Sequence, residues 1–182
     1  ENFMQHKCKV TVIRKELYQD LQKEYLADPE SGKCPFYQEG QEFLFERYGN
    51  KDDYWTMGKG SQCSEAWDCI SRYVYTALQG GSIMRNWTND ERMMIACCND
   101  GTRPVIFKIE RIDYQPVYVD GIENERDREA VLNTLRCLPD ALDAVFEADG
   151  NYIEVFVEKE IEADRIRKAV ENDGAFRVIR ID

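Results

Sequence analysis

The chain has 182 residues, 43% of them apolar, and a formal charge of -11 at pH 7 from 35 acidic and 24 basic residues. That length can bury the core of one large or two small domains, and the acidity argues against nucleic acid or an anionic membrane as partner, since both are bound through Lys and Arg clusters. No apolar run reaches the roughly 20 residues that cross a bilayer, and the start, Glu1-Asn2-Phe3-Met4, lacks the basic flank and apolar core of a signal peptide, so a cytoplasmic protein is expected.

Cys8-Lys9-Val10-Thr11-Val12-Ile13 alternates and is β-branched, which predicts a first strand with Cys8, Val10 and Val12 turned to the core. From Lys15 to Leu26 the spacing becomes helical, with Leu17, Leu21 and Tyr25 on one side, until Asp28-Pro29-Glu30-Ser31-Gly32 breaks it. Cys34-Pro35 and Gly40 precede a strand at Glu42–Glu46, and residues 48–62 read as a long loop around Trp55 and Met57. Ser64 is the expected N-cap of a helix whose apolar stripe is Trp67, Ile70, Val74, Ala77 and Leu78, ended by Gly80-Gly81. After an irregular stretch with Trp87, Met93–Lys108 reads as a β-hairpin turning at Asn99-Asp100-Gly101, its return strand ending near Ile112.

Beyond Tyr114-Gln115-Pro116 the pattern changes. A strand at Val117–Val119, a helix from Asn124 to Leu138, strands at Leu142–Ala148 and Tyr152–Glu158, a helix at Ala163–Asn172 and a strand at Phe176–Ile181 follow in turn. The order βαββαβ predicts a ferredoxin-like sandwich. The fold class is therefore α+β: a mixed domain over residues 1–113 centred on the hairpin, then a ferredoxin-like domain over 114–182. The second half carries 17 acidic and 9 basic residues, so most of the acidity lies there.

In element order and in its Gly121-Ile122 step the second half resembles the heavy-metal-associated domain of copper chaperones and metal-transporting ATPases. That family's Gly-Met-x-Cys-x-x-Cys loop would place its thiols at Asn124 and Asp127, and neither is a cysteine. The resemblance implies the fold and not copper carriage, which needs two thiolates at close range. The first ~112 residues look like a family of short bacterial and archaeal proteins of unknown function. The matching features are Lys7–Val12, Cys34-Pro35, Cys63 ahead of Ala66-Trp67, and Ala96-Cys97-Cys98 with Asp100-Gly101, Arg103-Pro104-Val105 and Phe107-Lys108. This second resemblance implies no activity or site.

Seven cysteines without an export signal are expected to be reduced thiols, and the single histidine, His6, removes the usual general base and the commonest metal ligand. Chemistry then falls to thiolates, carboxylates and tyrosines. Cys63 beside a helix start is the best reactive thiol, because the positive end of the dipole favours a thiolate. Cys34 stands before a proline, and alternation sends Cys97 and Cys98 to opposite faces, so one of them can join Cys34 and Cys63 in a metal site holding zinc or an iron–sulfur cluster. No Cys-x-x-Cys knuckle accompanies these four. Buried, inert cysteines are the plainer alternative.

Two further groups are weighed. The Asp100–Arg103 turn could hold an anion or be a closed turn, and Trp55, Trp67 and Trp87 could line a flat pocket or fill a core. The leading expectation is a binding module with a thiolate-lined metal or small-ligand site in the first domain, the second serving self-association or partner docking. The alternatives are a thiol-dependent oxidoreductase acting through Cys63 and a structural or regulatory adaptor.

Overall fold

Alternation of β-branched residues extends the first strand, β1, to Gln5–Lys15, in a computed structural model that describes residues 4–47 and 51–182. The elements that follow are α1 (Gln19–Tyr25), β2 (Glu42–Phe45), α2 (Met57–Gly60), α3 (Ser64–Leu78), β3 (Met93–Cys97) and β4 (Val105–Asp120). Then come α4 (Glu125–Arg136), β5 (Ala141–Phe146), β6 (Ile153–Val157), α5 (Ala163–Glu171) and β7 (Arg177–Ile181). Among the described residues this is an α+β chain with one mostly antiparallel, seven-stranded sheet and five helices; pairing runs β2-β1-β4-β6-β5, with β3 and β7 also on β4. The chain divides into two compact units, His6–Ile112 and a second comprising Asp113–Asp182 with Met4 and Gln5.

In the first unit Cys8, Val10 and Val12 are fully buried, as their alternation requires. They meet the inward stripe of α3 (Ala66, Ile70, Val74, Ala77, Leu78) and Val105, Phe107 and Ile109 of β4 in one core. Trp67 is half-buried and stacks on Phe45, ring centroids 5.6 Å apart. The expected helix at Lys15–Leu26 is shorter than its spacing suggests, because β1 runs through Lys15. Its buried residue is polar: Gln22 donates to Gly32 O and accepts from Gly32 N–H, while Tyr25 is 71% exposed. Of the expected loop at 48–62, residues 48–50 lie outside the described residues, and the rest contains α2, where Gly58 and Lys59 take left-handed backbone angles.

A buried ion pair ties β1 to the end of β2. Lys7 Nζ lies 2.8 Å from Glu46 Oε1 with its side chain 8% exposed, and Lys51 Nζ lies 2.9 Å from Oε2. Burial raises the Glu46 carboxyl pKa, but hydrogen bonds and charge from the two lysines outweigh it, so the net shift is downward. A folded pKa below the unfolded one stabilises above the unfolded value of about 4.3 and is lost as pH falls through the folded value. Urea melts between about pH 6 and pH 3 are expected to show Glu46→Gln losing less stability on acidification than the wild type; equal acid sensitivity would mean the pair contributes nothing.

In the second unit the order is βαββαβ, with strands hydrogen-bonded as β5-β6-β4-β7 in antiparallel registers. Helices α4 and α5 bury Val131, Leu132, Leu135, Ile166 and Val170 against Val117, Ala144, Val155 and Val178. Asn124, where the expected helix begins, caps α4, accepting from Asp127 N–H at 3.0 Å while Asp127 Oδ2 accepts from Glu123 N–H. One expectation is corrected: the return strand of the hairpin does not end near Ile112. It continues through Tyr114-Gln115-Pro116 as a single β4. Pro116 is tolerated there because its carbonyl accepts from Asp182 N–H, so its nitrogen faces the same side, beyond the Val117–Ile181 pair that closes the β7 ladder.

Candidate functional site

Three of the four expected metal-ligating thiols, Cys34, Cys63 and Cys98, are gathered around Tyr37. The ring is 1% exposed, and its hydroxyl accepts from Cys63 N–H at 2.9 Å and donates to Gln62 Oε1 at 3.0 Å. Burial pushes the phenol pKa up to about 12; the Cys63 N–H opposes that, and negative charge on Cys63, Cys34 or Cys98 would add to it. Cys34, Cys63 and Cys98 each pack, partly buried, against the same core. Cys98 Sγ accepts from Val105 N–H at 3.4 Å, whereas Cys97 is exposed on the opposite face, so alternation separates the pair as expected.

The Tyr37 hydroxyl is committed to Gln62 and Cys63. All seven cysteines are free, and among the described residues no three His, Cys, Asp or Glu side chains form a group that could hold a metal ion. The expected set of Cys34, Cys63 and Cys97 or Cys98 therefore has no assembled geometry for zinc or an iron–sulfur cluster, each of which needs several ligands converging on one point. Cys63, not Ser64, is the N-cap of α3; its carbonyl accepts from Trp67 N–H at 2.8 Å and its side chain makes no capping bond.

The fourth thiol, Cys97, belongs to a different place. The polar shoulder of α3, beside its apolar stripe, presents Asp68, Cys69, Arg72 and Tyr73, which are one helical turn apart in pairs. With Met94, Ile95, Ala96 and Cys97 of β3 and Ile106 of β4 they line a groove of about 580 Å³, inside the roughly 300–1,000 Å³ range of ligand sites. Cys69 Sγ donates to Asn99 Oδ1 at 2.8 Å, and Asn99 Nδ2 donates to Asp68 Oδ2 at 2.8 Å. Burial raises the Cys69 thiol pKa, with Asp68, Cys97 and Cys98 adding to the effect and Arg72 opposing it, so Cys69 is held as a protonated donor. The Arg72 guanidinium lies 4.7 Å from the Tyr73 ring centroid, and Nη2 donates to the Tyr73 hydroxyl at 2.8 Å.

The other two groups do not form sites. The Asp100 carboxylate accepts from Thr102 N–H, Thr102 Oγ1 and Arg103 Nε, all at 2.9 Å, so the turn is closed on itself and Arg103 is already paired. Trp55 and Trp87 are 66% and 75% exposed, while Trp67 is half-buried against Phe45, so the three are not equivalent wall residues. Cys69, Arg72 and Tyr73 are not among the site residues expected from the sequence. A signal for them exists: they sit just outside the α3 stripe, on the side that meets β3.

Comparison with known proteins adds no relative: no family model, no curated protein and no solved structure matches the chain. Among the described residues no helix is long and apolar enough to cross a membrane.

Proposed function

We propose that this chain is a non-enzymatic binding module whose site is the groove between α3 and β3, with Cys69 and Cys97 as its thiol lining. The observation that carries the reading is that one concave surface gathers two thiols, a cation, an aromatic ring and an apolar strand edge. Such a mixture of apolar wall and a few convergent polar groups is the usual make-up of a ligand site. The acidic second unit, in a ferredoxin-like arrangement, serves self-association or docking to a protein partner; Leu142 on β5 and Ile179 on β7, each 62% exposed, are its apolar contacts. Seven free thiols suit a reducing, cytoplasmic setting.

The test is ligand binding after selective blocking. A small-molecule fragment set is screened by native mass spectrometry on the anaerobically purified chain, alongside elemental analysis for bound metal. Alkylating Cys97 with a bulky maleimide is expected to abolish the hits, and alkylating Cys137 is expected to spare them. A metal or ligand lost in Cys63→Ser but untouched by blocking Cys97 would move the site to the Tyr37 cluster.

A second reading rests on Cys63 as the N-cap of α3 with no side-chain capping bond, which leaves its thiol uncommitted to the helix backbone. A thiol oxidoreductase acting through Cys63 requires that this thiol alkylate ahead of the other six below about pH 8. Reaction of Cys63 only after denaturation ends that reading. The adaptor alternative requires every cysteine substitution to change stability alone.

A further inference from the structure

The groove's floor is an unpaired strand edge, and this deepens the reading just given, on which it rests. In an antiparallel pair, residues alternate between those whose N–H and C=O face the partner and those whose groups face away. Cys98 N–H donates to Val105 O and Arg111 N–H donates to Arg92 O, so the even positions 92 to 98 face β4. Met93, Ile95 and Cys97 therefore turn their backbone groups to the open side. Met93 fits this: its N–H donates to Asp90 O, and its carbonyl accepts from Thr88 Oγ1, both outside the ladder. Among the described residues nothing bonds the N–H or C=O of Ile95 and Cys97, and β3 has β4 as its one strand partner.

The wall opposite that edge is α3, and its charges differ in how they are satisfied. Asp68 is engaged by Asn99 Nδ2. Arg72 rests on Tyr73 and has no carboxylate partner among the described residues. The groove therefore offers a short run of backbone donors and acceptors along one side and, on the other, Arg72 with no ion-pair partner among the described residues, one turn from the amide-bonded Asp68. Met94, Ala96 and Ile106 complete its apolar lining.

We propose that the groove binds an extended peptide segment of another protein by strand addition to β3, the segment being apolar at alternate positions and carrying an Asp or Glu side chain that pairs with Arg72. Main-chain bonds to Ile95 and Cys97 supply affinity, and the groove walls supply selection by side chain. The acidic group is chosen by charge complementarity with Arg72. Cys69 and Cys97 border the segment as weakly polar, polarisable walls.

The probes are three capped synthetic peptides: Val-Thr-Val-Glu-Val-Thr, the same peptide with Lys for Glu, and the Glu peptide N-methylated at alternate amides. Titration calorimetry on the full chain is expected to give binding of the Glu peptide, about tenfold or more weaker binding of the Lys peptide, and none of the N-methylated one. Arg72→Ala should weaken the Glu peptide by about three- to tenfold and erase the Glu/Lys preference. Ile95→Pro removes an outward N–H without breaking a β4 bond, so it should keep the circular-dichroism spectrum and lose the peptide. An N-methylated peptide that binds as well as its parent overturns the proposal. So does a dimer, seen by ultracentrifugation, that Ile95→Pro dissociates, since the edge would then belong to a second copy. Fragments that bind in the groove while no peptide does would overturn the peptide proposal and leave the binding-module reading standing; loss of both overturns both.

Discussion

Phe107→Ala is expected to destabilise the chain by about 3–5 kcal/mol, the cost of deleting a fully buried aromatic ring and leaving its cavity. Phe107 is 0% exposed and meets Tyr37 edge-on, with ring centroids 5.1 Å apart at 84°. It also lies on β4 opposite Ala96 of β3, so the strand that floors the groove rests on the same packing. Phe107→Leu keeps most of the volume and should cost less than about 1.5 kcal/mol. Chemical denaturation of both variants checks this; a loss below about 1 kcal/mol for the alanine variant would mean that the first unit's core is not where β3 and Tyr37 are fixed.

The second large effect belongs to Gln115. This side chain is fully buried, and its amide makes a two-point bond to the backbone of Ile161: Nε2 donates to the carbonyl at 3.0 Å, and Oε1 accepts from the N–H at 2.8 Å. Gln115→Leu leaves both backbone groups buried and unpaired, at about 1–3 kcal/mol each, so a total loss of about 2–6 kcal/mol is expected. Gln115→Glu separates hydrogen bonding from volume. An ionised carboxylate accepts from the Ile161 N–H but confronts its carbonyl, whereas the protonated acid can satisfy both. Burial raises the folded pKa of such a group above about 4.3, so its deficit should shrink as pH falls toward that value. A Gln115→Glu variant whose deficit is constant with pH would contradict this account of the contact.

The elements with a single strong period are legible in the sequence. Alternation marks Cys8, Val10 and Val12 as core, and the stripe and flanking glycines place α3 to within a residue, with the cap shifted to Cys63. The start of α4 at Asn124 is likewise read from the sequence, and Asn124 is its N-cap. Signals that depend on what lies across the sheet mislead. Pro116 reads as a break because its missing N–H is costly inside a ladder, yet here the nitrogen faces the end of β7, beyond the last pair of that ladder. Gln22 and Gln115 go unnoticed for the opposite reason: a polar residue reads as surface, and burial becomes tolerable only through backbone partners ten and 46 residues away.

The candidate site divides along the same line. Strand alternation alone separates Cys97 from Cys98, and Cys34, Cys63 and Cys98 do share a neighbourhood. The tyrosine that interacts with them gives no such signal, because Tyr37 reads as one more residue in a Pro-containing turn. The groove escapes a reading of the sequence because its chemistry is split between a helix shoulder and a strand edge. Cys69 and Arg72 meet Cys97 only when α3 packs beside β3, and an edge strand is a property of the sheet rather than of its own five residues.

The claim that the α3–β3 groove is the binding site is tested most directly by amide chemical shifts of the isotope-labelled chain, recorded with and without the Val-Thr-Val-Glu-Val-Thr peptide and the best fragment hit. The account predicts that the perturbed amides cluster at Asp68–Tyr73 and Met94–Cys97. Shifts centred on Cys34, Tyr37 and Cys63, or on the acidic second unit with the groove unmoved, would contradict it.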